Sequence, residues 1–326
     1  MSAQDRTLDR YQELMQINAA SHLLRSAREA GLFDELQSGQ RTLAQLVQTL
    51  ALAPETTELL LDCLVSMSVI ERYGDDHALS PVMRLLCEHD ADLGDAGWSC
   101  LVNKLHQRDT AASDVAYLDG IAATQWIHTP AAVQAAEILD IGGELNKDSE
   151  LAAPLRILDL GCGSAVWSCA MAYRDSTATV VAVDNNLALA AAERAAQSID
   201  LGSRFRSVVG DPEEAKLEHG EFDVVVVAQR FHSARPAAAK RLLEQALTSL
   251  ASGGRLVIID LFRGPAKPRL SETIEALRLH LATDHGRMRS IQETQSQLES
   301  VGLTNVQFTF LAASRINLGL MVARKP

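Results

Sequence analysis

Apolar positions along the 326-residue chain follow two different periodicities. Through about residue 100 they recur every three or four residues, the spacing of one face of a helix. The stretch RYQELMQINAASHLLRSAREAGLFDEL, from Arg10, carries this pattern, and Gly31 stands where a helix would be capped. TLAQLVQTLAL repeats it, with Thr42 as the expected N-cap. Pro54 opens PETTELLLDCLVSMSVI at the first-turn position that proline favours. Two short strand-like pieces, VIERYG and HALS, follow around the turn GDD. Three helices and then a small hairpin is the order of a winged helix.

Residues 98–150 read as mostly helical, with Trp98, Tyr117 and Trp126 as aromatics that can line one wall of a pocket, and with GGELNKDSELAAP as a loop. From residue 156 the pattern changes. RILDL, TVVAVD, FRSVVG, FDVVVVA and GRLVIIDLF are short, nearly continuous apolar runs rich in Val and Ile, and helical runs such as LALAAAERAAQSI and PAAAKRLLEQALTSL separate most of them. Strands of that kind joined by helices predict an α/β fold around a buried parallel sheet. Three segments are therefore expected: 1–97, a helical winged-helix-like domain; 98–150, a helical linker lining a pocket; and 151–326, the sheet domain.

Charge narrows the partners. The chain carries 42 acids against 30 bases, a net charge of -12, which repels phosphate backbones. Within 34–95 there are three Arg, no Lys and twelve Asp or Glu, the opposite of what a DNA-reading helix needs. A packing or dimerisation role is expected for this unit, and no nucleic-acid partner. No apolar run reaches the roughly 18 residues of a membrane span, and the start MSAQDRTLDR is polar, so the expected location is cytoplasmic without a membrane partner. Five scattered cysteines without a CxxC pair predict neither a disulfide framework nor a metal site.

Ligands of a parallel sheet bind beyond the carboxyl ends of its strands, at the switch point. Asp159, Asp184, Asp211 and Asp260 all fall at or near such ends. Asp159 also precedes a glycine turn, Gly161-Cys162-Gly163. A dinucleotide would bring a pyrophosphate to that turn, against the carboxylate, and the third glycine of GxGxxG is replaced by Val166. A ligand that is cationic here and lacks phosphate fits better, and S-adenosylmethionine is one. Asp159 would attract its ammonium, the glycines would admit close approach, Asp184 would accept the ribose hydroxyls, and Asp211 would meet the adenine amino group.

ILDLGCGSA, AVDNN, VGDPEE and LASGGRLVIIDLF resemble the strand-end motifs of class I S-adenosylmethionine-dependent methyltransferases, with Ala165 where a third glycine is common. SAREAGLFDEL and the segment after it resemble the dimerisation region of the small-molecule O-methyltransferases of plant caffeate and bacterial antibiotic-tailoring type. The resemblance covers nearly the whole chain. It implies a Rossmann-like sheet of seven strands, the last inserted antiparallel beside the fifth, with TNVQFTFL and INLGLMVARK as the final two, and a homodimer formed through the N-terminal domain. The implied cofactor set is Asp159, Gly161, Cys162, Gly163, Asp184, Asn185, Gly210, Asp211, Pro212 and Ala228. In AQRFHSARP, His232 stands at the family's general base, with Ser233 and Ala234 replacing the usual Asp-Trp. Asp260 stands at its orienting acid, and a second acid of some members is replaced by Met288.

The implied reaction is methyl transfer to a hydroxyl, or less readily a nitrogen, of a small and aromatic acceptor. Decarboxylation or hydroxylation on the same cofactor site, and a metabolite-sensing winged-helix regulator, are the alternatives. His106, His128, His280 and His285 are further candidates for the acceptor pocket, and Arg230 either neutralises an acidic acceptor or is a plain surface arginine.

Overall fold

The structure, a computed structural model, describes residues 3–89, 94–108, 113–143, 154–217, 219–264 and 267–326. They form two compact units, Met1–Ala96 and Gly97–Pro326.

In the first unit the helix Ala3–Glu29 ends at Gly31, whose φ of +77° turns the chain into the helix Leu32–Gln37. Strand β1 (Arg41–Thr42) leads into the helix Leu43–Leu50, and Thr42 is its N-cap in a reciprocal capping box with Gln45. Pro54 starts the helix Pro54–Ser66. Strands β2 (Ile70–Tyr73) and β3 (Asp76–Leu79) then form the expected hairpin, and β1 joins it in the order β1-β3-β2. Leu32, Leu46, Leu61, Leu64, Ile70 and Leu79 are buried between these elements.

The second unit is built on strands β4 (Arg156–Leu160), β5 (Thr179–Asp184), β6 (Phe205–Val209), β7 (Phe222–Ala228), β8 (Leu250–Arg263), the two-residue β9 (Arg289–Ser290), β10 (Thr304–Phe310) and β11 (Leu318–Arg324). Seven of them run in the order β10-β11-β8-β7-β4-β5-β6, and β9 pairs separately with β8. The β6-to-β8 half is parallel, and β11 is antiparallel between β8 and β10. The seven-stranded sheet and its inserted last strand are as expected. In β10 the register shifts between Thr304 and Gln307, and Asn305 has a φ of +52°, so this strand carries a bulge.

Alternate strand residues feed two apolar cores. Ile157, Val180, Val226, Val257 and Ile259 face one side of the sheet. Leu158, Leu160, Val225, Val227 and Ile258 face the other. Both faces are buried, which is why the strands read as unbroken apolar runs. Ala131, Ala132, Ala135 and Ala136 of the helix Thr129–Ile138 belong to the first core, with Trp167 and Met171 of the helix Val166–Arg174. The segment 98–150 thus lies within the same compact unit as the sheet over its described part; most of the loop GGELNKDSELAAP falls outside the described residues. Among the described residues, no helix is long and apolar enough to cross a membrane.

Candidate active site

The order of the sheet reverses between β4 and β7, and the chain leaves both strands at that crevice. After β4, Gly161 and Gly163 adopt positive φ of 73° and 55°, and Ala165 follows at 55° as it enters the helix Val166–Arg174. An added Cβ at Gly161 would meet Arg230 Cδ at 3.0 Å, and one at Gly163 would meet Gln125 Oε1 at 2.8 Å. Both positions favour glycine, which takes a positive φ without strain and leaves the Arg230 and Gln125 side chains undisturbed. The Gly161 and Cys162 N–H groups donate to the Val183 carbonyl at 2.9 and 3.3 Å, tying the turn to β5. Asp184, at the end of β5, accepts from the Gly163 N–H at 3.0 Å and the Asn185 N–H at 2.8 Å. The Arg230 guanidinium lies 3.9 Å from Asp184 Oδ1, so Arg230 faces this turn. Gln125 Oε1 accepts from the Ser164 N–H at 3.0 Å, while its buried Nε2 has no partner among the described residues. The turn, Asp184, Gln125 and Arg230 form a cradle at the switch point.

The other residues of the expected cofactor set have different surroundings. Asp159 is fully buried beneath the turn, where Ser168 Oγ donates to its Oδ2 at 2.6 Å and its Oδ1 has no partner among the described residues. Cys162 is buried, which raises its thiol well above the ordinary range. The Asn185 side chain caps the helix Asn186–Ser198, accepting from the Ala188 N–H at 3.0 Å. Gly210 donates its N–H to the Asp184 carbonyl at 3.1 Å. Asp211 is exposed on the rim, its Oδ1 accepting from the Glu213 N–H at 2.9 Å, and Pro212 is buried beside it. Ala228 is a core residue at the end of β7.

Burial pushes the Asp159 carboxyl from the ordinary 3.8 up to about 7. Between about pH 4 and pH 7 the folded chain then holds a proton that the unfolded chain has released. Stability falls with rising pH across that window, by at most about 1.4 kcal/mol per pH unit. Asp159→Asn keeps the shape and removes the titration. Its thermal midpoint is expected to exceed that of the wild type at pH 8, with the gap closing towards pH 5. A gap independent of pH would show that Asp159 does not change ionisation on unfolding.

A second constellation lies beyond β7 and β8. Gln229 takes a φ of +52° and donates its N–H to the Ile259 carbonyl at 2.7 Å, steering the chain from β7 across to β8. His232 thereby meets Asp260. The His232 backbone N–H donates to Asp260 Oδ2 at 2.9 Å, the Leu261 N–H donates to Oδ1 at 2.7 Å, and the ring Nδ1 bonds to Oδ1 as well. Both side chains are 2% exposed. With three hydrogen-bonding partners the Asp260 carboxylate is satisfied as an anion, so Nδ1 carries the proton and Nε2 is left as an acceptor. Tyr117, on the helix Asp114–Thr124, reaches that nitrogen with its hydroxyl at 2.7 Å.

Arg289 clamps the His232 turn, donating to the carbonyls of Phe231 at 3.3 Å and Ala234 at 2.8 Å, with its guanidinium over the Phe231 ring. Met288, at the place of the missing acid, packs against the apolar core. Ser233, in place of the family's Asp, closes the turn on the Arg230 carbonyl at 3.0 Å. Of the other histidines, His128 is buried against Trp167, and burial lowers it to about 4. His106, His280 and His285 are exposed. In the sequence Tyr117 stands out only as a wall aromatic, and Gln125 carries no signal. A cavity of about 740 Å³ opens at the opposite end of the strands, among Leu155, Asp223, Arg255 and Arg324, away from all of these groups.

Comparison with known proteins agrees with this architecture. The methyltransferase small domain profile matches residues 124–286, and the O-methyltransferase dimerisation domain profile matches residues 12–86. No curated protein matches the sequence significantly. Among solved structures, an O-methyltransferase family protein from Burkholderia thailandensis has a TM-score of 0.72 at 18% identity, over 98% of both chains. Human N-acetylserotonin methyltransferase, solved in complex with S-adenosylmethionine, has a TM-score of 0.69 at 17% identity, over 100% of this chain and 98% of that one. The mitomycin 7-O-methyltransferase MmcR has a TM-score of 0.66 at 18% identity, over 99% of both. At these identities the likeness is one of fold, but the small-domain profile spans half of the chain, and the chain belongs to the methyltransferase small domain family, with an O-methyltransferase dimerisation domain in its first unit.

Proposed function

We propose that the chain transfers a methyl group from S-adenosylmethionine to a hydroxyl oxygen of a small, aromatic acceptor, with His232 as the base. The observation that carries this reading is the buried Asp260–His232 pair, with Asp260 near the end of β8 and His232 in the turn after β7. It is a base held in one tautomer, on the strand-end rim that also bears the glycine cradle.

The cradle suits the cofactor. Gly161 and Gly163 present bare backbone at positive φ, with the Arg230 and Gln125 side chains close by. Asp184 keeps acceptor lone pairs beyond its two amide bonds, and the exposed Asp211 sits at the next strand end. These four residues would hold the nucleotide, and Gln125, with its orphaned Nε2, borders it. Asp159, Cys162, Asn185, Gly210, Pro212 and Ala228 serve by fixing the shape of the turns. When bound, the cofactor supplies an electrophilic methyl on a sulfonium. The protein's share is to position the acceptor oxygen and to take its proton. Labelled S-adenosylmethionine offered with phenols, carboxylates and heteroaromatics is the test. Label transferred to a phenolic or other hydroxyl oxygen supports the reading, and transfer to none of these classes overturns it.

The first unit, which has the helix-and-hairpin order of a winged helix, is proposed as a homodimerisation module. On the helix Ala3–Glu29, Leu8, Tyr11, Leu14 and Met15 are each more than half exposed and cluster on one side. An apolar stripe of this kind marks an interface, and the dimerisation profile overlaps it. The full chain is expected to sediment as a dimer at micromolar concentration. The double variant Tyr11→Glu/Met15→Glu should weaken the dimer on the order of tenfold or more. A wild-type monomer at that concentration would exclude the module from this role.

A further inference from the structure

The base proposed above is covered. His232 is almost completely buried, its Nδ1 is engaged by Asp260, and the single lone pair on Nε2 already accepts the Tyr117 hydroxyl at 2.7 Å. With Tyr117 in place, an acceptor hydroxyl has no free site on the imidazole. The phenol oxygen itself is different. It donates to Nε2, and its own lone pairs accept from no protein donor among the described residues. It is the atom through which the buried base can meet a substrate.

The tyrosine is held firmly. Its helix Asp114–Thr124 is capped by Ser113, whose Oγ accepts from the Ala116 N–H at 3.2 Å. The Ser113 N–H donates to the Ala282 carbonyl at 3.2 Å, and Asp114 accepts from the Asp284 N–H at 3.1 Å. The ring packs edge-on to the imidazole, with centroids 5.7 Å apart at 86°. The charged groups around the hydroxyl are Asp260 on β8, and Arg278 and Glu275, themselves 3.4 Å apart, on the helix Leu270–Ala282. Burial raises the Tyr117 hydroxyl well above the ordinary range, which keeps it a neutral donor.

We propose that Tyr117 is a catalytic residue, passing the acceptor's proton to His232. The inference rests on the methyl-transfer reading. The acceptor hydroxyl donates to the Tyr117 oxygen. As the acceptor oxygen bonds to the methyl carbon, its proton moves to the Tyr117 oxygen, and the proton already on Tyr117 moves to His232 Nε2. The bond between methyl and sulfur breaks, with its electron pair staying on sulfur. Tyr117 ends as it began, a neutral phenol. The positive charge lost from the sulfonium reappears on the imidazolium, next to the Asp260 carboxylate.

Tyr117→Phe in the full chain tests the step, because it removes one oxygen and keeps the ring. At pH 7 turnover should fall about 10–10²-fold, with KM for the acceptor within about threefold and the deficit shrinking as the pH approaches the ionisation of the acceptor. Tyr117→Phe/His232→Ala should be no slower than His232→Ala alone, since both changes cut one path. A purely structural loss would instead multiply. In the nucleotide-free protein, nitrogen NMR of the His232 ring should show the Nε2 signal moving when Tyr117 becomes Phe, with the Nδ1 proton unchanged. Wild-type methylation with unchanged or faster turnover in Tyr117→Phe would overturn the relay alone, and would make the tyrosine a plug that the acceptor displaces. Absence of methylation by the wild type would overturn the function and the relay together.

Discussion

His232→Ala is expected to lower turnover at pH 7 by about 10²–10⁴-fold while leaving nucleotide affinity nearly unchanged. The residue touches Asp260 and Tyr117, and none of its bonds goes to the glycine turn or to Asp184. Raising the pH should restore part of the rate, because an acceptor that ionises in solution needs no base. Asp260→Asn should cost a similar factor by a different route. The amide nitrogen meets a donor in either orientation, the Leu261 N–H and the Nδ1 proton at one position or the His232 N–H at the other, so the ring loses the arrangement that keeps Nε2 free to accept. Initial rates from pH 6 to pH 10 would measure both variants. Wild-type turnover in His232→Ala across that range would remove the imidazole from the chemistry and leave positioning as the enzyme's contribution.

Asp184→Ala is expected to weaken S-adenosylmethionine binding by about 1.5–3 kcal/mol for each ribose hydrogen bond lost, which is about 10- to 150-fold per bond. The structure adds a second cost. Asp184 also accepts the Gly163 and Asn185 amides and lies beside Arg230, so the alanine variant strands two donors and loosens the turn before any ligand arrives. Its nucleotide-free stability should fall by roughly 1–3 kcal/mol. Asp184→Asn retains a carbonyl oxygen for one of the amides and should lose less of both. Calorimetry for affinity and thermal unfolding for stability would separate the two effects. Unchanged affinity in Asp184→Ala would mean that the nucleotide does not lie over β5.

Most of the second unit was legible because its physics is local. Strands buried on both faces must be apolar throughout, and FDVVVVA and TVVAVD are. A strand that runs into two positive-φ positions favours glycine there, and Gly161 and Gly163 supply it. Asp159 lies beneath the rim and not on it, as the two-residue period of a strand requires. It shares a face with Ile157, and the helix Val166–Arg174, which brings Ser168 onto it, covers that face. Asp260 stands out by its strand-end position, but its pairing with His232 rests on resemblance, since no local rule pairs residues 28 positions apart. The Tyr117–His232 bond spans 115 positions, and the Gln125–Ser164 bond spans 39. Tertiary packing alone creates such contacts, and neither residue type nor spacing announces them. The sequence points Arg230 towards the acceptor, but the turn after Gln229 folds it over Gly161.

The two outer strands of the sheet are poor templates for another strand. The bulge at Thr304–Gln307 breaks the ladder of β10 just where a neighbouring chain would have to match its amides. At the other margin β6 is only five residues long and shows an exposed Arg206 to solvent. Both margins therefore present short or interrupted edges, which disfavours growth of the sheet from copy to copy. A concentrated solution of this protein should stay at a closed, small assembly, with the apolar stripe of its first helix free to associate while the sheet stays single.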